Sequence, residues 1–224
     1  MRKRILYSIA AVGVFTAAGF FFAERALNLI ITRAALGTTY FFSPAEAFVA
    51  RMKVALFLGI VAAFPIILYQ VWAFIGPGLT RSEKRVSLSY IGSGLVLLAM
   101  GIAFGYFILI PYGLGFFLSF GSETVQPLIN IGKYLNFFLW CLLASGLLFQ
   151  LPLLLFFLMR LGIVDVDTIT KHRPEALVAV LVLCAVITPT GDFFTLLLLS
   201  VPLVILFEVS VLVARLSRQR KQPD

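Results

Sequence analysis

The sequence predicts an all-α membrane protein, a single polytopic domain over residues 1–224 that crosses the bilayer six times. Three observations carry this. Hydrophobic residues make up 61% of the chain and charged ones 12%, where a soluble domain carries about 25% charged residues. Mean hydropathy is +1.05. Finally, long apolar runs alternate with short basic clusters, the arrangement of topology determinants rather than of a continuous basic stripe for nucleic acid, despite a net charge of +8. No nucleic-acid partner is expected.

The spans follow in order. Ile5–Ala23, Val49–Ile75, Leu88–Ile110 and Tyr134–Met159 each reach the roughly 20 residues that a helix needs to cross about 30 Å of hydrocarbon. The first has a basic start, like a signal peptide, but no persuasive small-residue cleavage site before Glu24, and reads as a retained anchor. The fifth segment, Ala176–Ile187, has only twelve residues between Pro174 and Pro189, about 18 Å of helix. Phe193–Ala214 is the sixth. Charge settles whether the fifth crosses. With the start inside, 13 of the 18 Lys and Arg fall on the cytoplasmic side, and Arg25, Arg33, Arg51, Lys53 and Lys133 on the other. A fifth segment that turned back would strand the basic tail Arg215–Lys221 outside, so it is read as spanning, with local thinning of the bilayer.

Prolines at Pro65, Pro152 and Pro202 fall inside spans, where each removes an N–H and tends to kink its helix. Gly59 and Pro65 have the same six-residue spacing as Gly146 and Pro152, a weak sign of a parallel repeat. Residues 24–48 and 112–133 are long enough for short interfacial helices, with Phe41, Phe42, Phe116, Phe117 and Phe120 to face lipid. Cys141 and Cys184 lie in apolar runs without metal or redox spacing and read as packing residues.

Polar side chains in the spans are the first functional candidates. Gln150 precedes Arg160 by ten residues, Glu208 precedes Arg215 by seven, and Gln70 precedes Pro77 by seven. At 1.5 Å per residue that is about 15, 10 and 10 Å from the cytoplasmic edge. They read as an intramembrane polar recess, or else as separate interhelical hydrogen-bond partners. Enzyme readings fail on geometry. Ser93 sits in a Gly-Ser-Gly context, but the only histidine, His172, lies in a charged cytoplasmic loop. Gly191-Asp192 resembles a membrane aspartyl protease site without a second intramembrane aspartate. No P-loop, HExxH or dinucleotide pattern occurs; no cofactor or metal is expected.

Specific motifs then point to a family. Ser43-Pro44, the run from Pro65 through Tyr69-Gln70-Val71-Trp72-Ala73-Phe74 to Pro77-Gly78-Leu79, and Glu83-Lys84-Arg85 come first. Gly101 to Phe107 with Pro111, Phe149-Gln150-Leu151-Pro152, Arg173-Pro174, Thr188-Pro189-Thr190-Gly191-Asp192 and Pro202 through Phe207-Glu208 follow. In order and spacing this resembles TatC, the multispanning core subunit of the twin-arginine protein translocase. The resemblance implies a curved, glove-like bundle of six helices with no enzymatic activity, in the prokaryotic cytoplasmic (inner) membrane. It implies a receptor for twin-arginine signal peptides of folded precursors, with self-association in a receptor complex and transport driven by the proton-motive force. Its partners would be small single-span subunits of the TatA/TatB type, besides membrane lipid. Glu83 matches a carboxylate that binds the arginines; Phe74, Leu79, Lys84 and Arg85 belong to the same patch, and Pro44 and Asp192 to the opposite, partner-facing side. From residues alone, Glu83 among Arg81, Lys84 and Arg85 reads as a solvated, locally paired loop residue.

Three positions depart from the family pattern. The short amphipathic segment with a second carboxylate is represented only by its end, at Met1-Arg2-Lys3-Arg4. Gln150 stands where many members have Glu, and a neutral amide cannot carry a charge. Leu196 replaces a polar residue four positions after Asp192. The rival reading is a secondary transporter of small solutes, which would need a midplane ion-coupling site and inverted repeats. The charge asymmetry has a direct test: cysteines placed at Ser217 and Thr190 should react with impermeant thiol reagents from opposite sides, and labelling from one side would refute six spans.

Overall fold

A computed structural model describes residues 2–33, 43–75, 81–121, 129–160, 164–188 and 191–219. Among these the chain is helical, with no strand. Helices α1 (Arg2–Arg33), α2 (Pro44–Ile75) and α3 (Arg81–Phe104) come first. A π-turn (Gly105–Leu109) joins α3 to α4 (Ile110–Leu118). Then come α5 (Ile131–Leu148), α6 (Leu151–Arg160), α7 (Val166–Lys171), α8 (Arg173–Ile187) and α9 (Phe193–Gln219). Five stretches are long and apolar enough to cross a membrane: Lys3–Thr32, Ala45–Val71, Tyr90–Leu118, Ile131–Met159 and Phe193–Arg215. The remaining apolar segment is α8, whose 15 residues contain the short fifth span.

Side chains such as Phe21 (86% exposed) and Val186 (80%) face outward. Water would penalise such surface by about 25 cal/mol per Å², while lipid tails leave it unpenalised.

The helices overrun the expected spans. Residues 24–33 continue α1 and residues 44–48 open α2, so separate interfacial helices are not formed by the described part of 24–48; Phe41 and Phe42 lie outside the described residues. Phe116 and Phe117 sit in α4, an extension of the third span. The loop expected between the fourth and fifth spans holds the additional short helix α7.

The chain divides into two compact units. The first comprises residues 1–95 and 118–139. Here α1 and α2 form an antiparallel hairpin made close by glycine. A Cβ on Gly59 would stand 2.6 Å from the backbone nitrogen of Thr16, and one on Gly19 would stand 2.9 Å from the carbonyl oxygen of Ala55. With no hydrophobic gain for bringing helices together in lipid, such backbone approach is what holds them. Arg51 of α2 pairs with Glu24 of α1 at 3.3 Å. The first half of α5 joins this unit, where Lys53 Nζ donates to Asn136 Oδ1 at 2.7 Å.

The second unit comprises residues 96–117 and 140–224. Close packing recurs where a Cβ on Gly101 would meet the Ser145 carbonyl oxygen at 2.7 Å and the Gly146 Cα at 2.9 Å. Phe104 and Phe149 pack at 5.6 Å, and Phe116 stacks on Phe194 at 4.7 Å. Helix α9 packs against α6, α7 and α8. Cys141 and Cys184 are buried free thiols, as expected.

Prolines have different outcomes. Pro65 and Pro202 are carried inside unbroken helices. Pro152 interrupts the span read as one helix: α5 ends at Leu148, Gln150 N–H turns back to the Leu147 carbonyl at 3.0 Å, and α6 restarts. A proline ring clashes with the carbonyl four residues earlier and has no N–H for it, so a local break relieves both demands. Pro111 is accommodated by the π-turn, in which Ile110 N–H bonds the Gly105 carbonyl five residues back. The Gly59–Pro65 and Gly146–Pro152 pairs therefore share spacing but not local structure.

Gly59→Leu should push α1 and α2 apart and destabilise the protein by about 1–3 kcal/mol. Gly13→Leu, at a position with open space around it, should not. Thermal unfolding in detergent distinguishes them; equal effects would mean that the close approach at Gly59 is not holding the hairpin.

Candidate functional site

The residues singled out at the expected signal-binding patch cluster along the chain at one helical connection. Phe74 lies in the last turn of α2, and Glu83, Lys84 and Arg85 lie in the first turns of α3. Leu79 lies outside the described residues. Glu83 is thus helical rather than part of a loop. A carboxylate near a helix N-terminus is favoured by the unpaired N–H groups there. Gln70, half-buried, precedes Phe74 by one turn on α2. Pro44 begins the same helix thirty residues earlier, about 45 Å away along its axis. At that distance it cannot share a site with Phe74. It occupies the first helical position, where its missing N–H costs nothing.

The other candidates belong to the second unit. Gln150, half-buried, sits in the two-residue break between α5 and α6. Glu208 of α9 pairs with Arg173 at the start of α8, 3.1 Å apart, with both side chains about two-fifths exposed (42% and 40%). Glu208 is therefore half of an ion pair at a helix end. A recess of about 260 Å³ lies where α6, α8 and α9 meet. Its walls are apolar, including Leu151, Leu155, Leu183, Leu203 and Phe207. Further along α9, Arg215 donates to the Thr170 hydroxyl.

Asp192 lies at the far end of α9 from Glu208, sixteen residues or about 24 Å away. Its Oδ1 accepts the Thr195 N–H at 2.7 Å, capping the helix, and Leu196 N–H bonds its carbonyl at 3.1 Å. Leu196 therefore contributes a backbone bond at the position where the family pattern has a polar side chain. The preceding Gly191 has φ +59°, a conformation that L side chains rarely adopt. His172, at the α7–α8 junction, is exposed, with Nδ1 3.0 Å from the Thr168 carbonyl oxygen.

Comparison with known proteins decides the family. The family model described as "Sec-independent protein translocase protein (TatC)" matches residues 1–202. The chain belongs to the TatC family. A TatC of Desulforapulum autotrophicum is 38% identical over 229 residues, covering 100% of this chain and 84% of that one. The TatC of Carboxydothermus hydrogenoformans is 34% identical over 223 residues, covering 99% and 92%. A crystal structure of the twin-arginine translocase receptor TatC superimposes with a TM-score of 0.83 at 29% identity, covering 97% of both chains. The resemblance read from the motifs is thereby established. The chain is a component of a membrane protein translocase.

Several polar features escaped the sequence reading. Glu46 Oε1 accepts the Gly132 N–H at 3.0 Å, and Asn130 Oδ1 accepts the Lys133 N–H at 2.8 Å, so two side chains cap α5. Trp140 Nε1 donates to the Ile187 carbonyl at the end of α8, 2.9 Å away. The Asn130 cap was findable, since asparagine before an apolar run is a helix-start signal. The other two link residues 86 and 47 positions apart, which no local pattern reveals.

Asp192→Ala should lose a cap worth about 1 kcal/mol, whereas Glu208→Gln, which removes a half-exposed ion pair, should cost about 0–1 kcal/mol. Asp192→Asn should restore the cap. Thermal unfolding of the three variants checks this, and an Asp192→Ala protein as stable as the parent would refute the capping role.

Proposed function

We propose that this chain is the receptor that reads the twin-arginine signal of folded precursors. It also serves as the core on which small single-span subunits assemble. The observation that carries the reading is the likeness, over 97% of both chains, to a structure named as the twin-arginine translocase receptor. In this reading the protein resides in the prokaryotic cytoplasmic membrane, both termini face the cytoplasm, and the α2–α3 connection is presented to arriving precursors. Transport is driven by the proton-motive force.

Glu83 supplies the carboxylate for the arginine pair. A carboxylate accepts two parallel bonds from a guanidinium fork, a geometry that lysine cannot match with its single ammonium. Phe74 and Leu79 offer apolar contact to the rest of the signal, and Lys84 and Arg85 flank it. Nearby basic residues are poor competitors for Glu83, since exposed ion pairs are worth about 0–1 kcal/mol. Gln70, Gln150 and Glu208 contribute intramembrane polar contacts, and Pro44 and Asp192 face partners on the outer side.

Glu83→Ala should weaken crosslinking of a twin-arginine precursor by about tenfold or more, the weight of a charge-assisted bond. Insertion of the protein should be unchanged, and Glu83→Asp should keep part of the binding. Undiminished binding by Glu83→Ala, with arginine still preferred over lysine in the signal, would show that another group does the reading.

A further inference from the structure

Within the first unit, the starts of α2 and α5 border a cleft of about 480 Å³. We propose that this cleft binds a phosphate-type anion, carried by a lipid headgroup or free in solution. The inference begins with Lys53. This half-buried residue lies four positions past Val49, about 6 Å along the helix, near the outer end of the apolar stretch Ala45–Val71. An ammonium at such a place is expensive and calls for a counter-charge. Its hydrogen bond, at 2.7 Å, goes to the neutral amide oxygen of Asn136.

Lys133 lines the same cleft. Two lysines thus line one cleft on the side that the charge distribution assigns to the outside, which holds only five of the chain's 18 basic residues. The other donors have the same polarity. Asn130 and Asn136 both line the cleft, and each has its Oδ1 engaged, by Lys133 N–H and by Lys53 Nζ. What such an amide has left to offer is its two N–H donors. The first turns of α2 and α5 add the positive ends of two helix dipoles. Among the described lining residues Glu46 is the one acid, and its Oε1 accepts the Gly132 N–H. Among the described residues, then, two ammonium groups stand against one carboxylate in the cleft.

The lining also includes the buried Ala50 and Leu135, 2% and 0% exposed. A cleft lined by cationic donors and by apolar side chains suits an amphiphile with an anionic head. Phosphate suits it chemically, having several acceptor oxygens for separate ammonium and amide donors. The site is remote from Phe74 by most of the length of α2, so it is distinct from the signal-binding patch.

The test uses the full chain, purified in detergent, with three probes: dioctanoyl phosphatidylglycerol, dioctanoylglycerol and inorganic phosphate, followed by native mass spectrometry and calorimetry. Phosphatidylglycerol should bind and dioctanoylglycerol, which lacks the phosphate, should not. Displacement of the lipid by inorganic phosphate at comparable concentration would support the site with the free ion as ligand. Lys53→Gln, which still offers an N–H to Asn136, should weaken binding by about tenfold or more. Lys53→Arg, which keeps the charge, should stay within about threefold. Should Lys53→Gln fail to fold, Lys133→Gln, at an exposed position, gives the same reading. Equal binding of dioctanoylglycerol and phosphatidylglycerol, no binding of either phosphate probe, or affinity indifferent to Lys53→Gln and Lys133→Gln would each overturn the proposal. None of these outcomes bears on Glu83, so the site stands or falls apart from the receptor reading.

Discussion

The constraint on which the rest depends is that lipid offers no hydrogen bonds to backbone. Every N–H and C=O inside the bilayer must find a partner in the chain itself, and that alone makes the fold helical. It also makes each proline a local problem. Pro65 and Pro202 are carried within continuous helices, Pro111 is absorbed by a π-turn, and Pro152 splits its span at Gln150. The glycines answer the same constraint from the other side. Helices that gain nothing from hydrophobic association are held by close backbone approach, as at Gly59 against Thr16 and Gly101 against Ser145.

Four basic side chains within or near the spans have partners from another helix. Arg51 meets Glu24, Arg173 meets Glu208, Lys53 meets Asn136, and Arg215 meets Thr170. Two of these partners are neutral. A neutral partner satisfies the hydrogen bond but not the charge. Lys53 differs from Arg215 in its surroundings: it borders a cleft together with a second lysine, Lys133. That difference is why Lys53, and not Arg215, calls for an anion.

The fold class and the six apolar segments were legible because apolar runs of spanning length and basic clusters are local patterns. Family membership was legible from motif order, in particular the run from Pro65 to Leu79 followed by Glu83-Lys84-Arg85. Helix ends were not. Length and hydropathy mark where an apolar run stops, while α1 continues ten residues past Ala23 to Arg33. Ser43-Pro44-Ala45-Glu46 carries the Ser-x-x-Glu signal for a helix start. Even so, its glutamate reaches Gly132, 86 residues away, which only the fold could reveal. Glu208 shows the same limit. Its sequence neighbours are apolar, so it read as a membrane carboxylate, and its partner Arg173 lies on a different helix.

That pair also explains the shortness of α8. Its 15 residues span about 22 Å at 1.5 Å each, below the roughly 30 Å of an average hydrocarbon core. Helix α9 is longer, with 27 residues, yet the stretch between Asp192 and Glu208 is also fifteen residues long and carries no charge. The two helices pack together, and Arg173 at the start of α8 bridges to Glu208 within α9. At the other end, Thr188 bonds back to the Cys184 carbonyl and Asp192 caps α9. Polar groups bound α8 on both sides and leave it an apolar stretch, Ala176–Ile187, about 18 Å long. A bilayer accommodates such a mismatch by thinning locally, at a cost of a fraction of a kcal/mol per Å. Glu208 meets Arg173 at the polar end of α8, and both side chains of the pair are half-exposed.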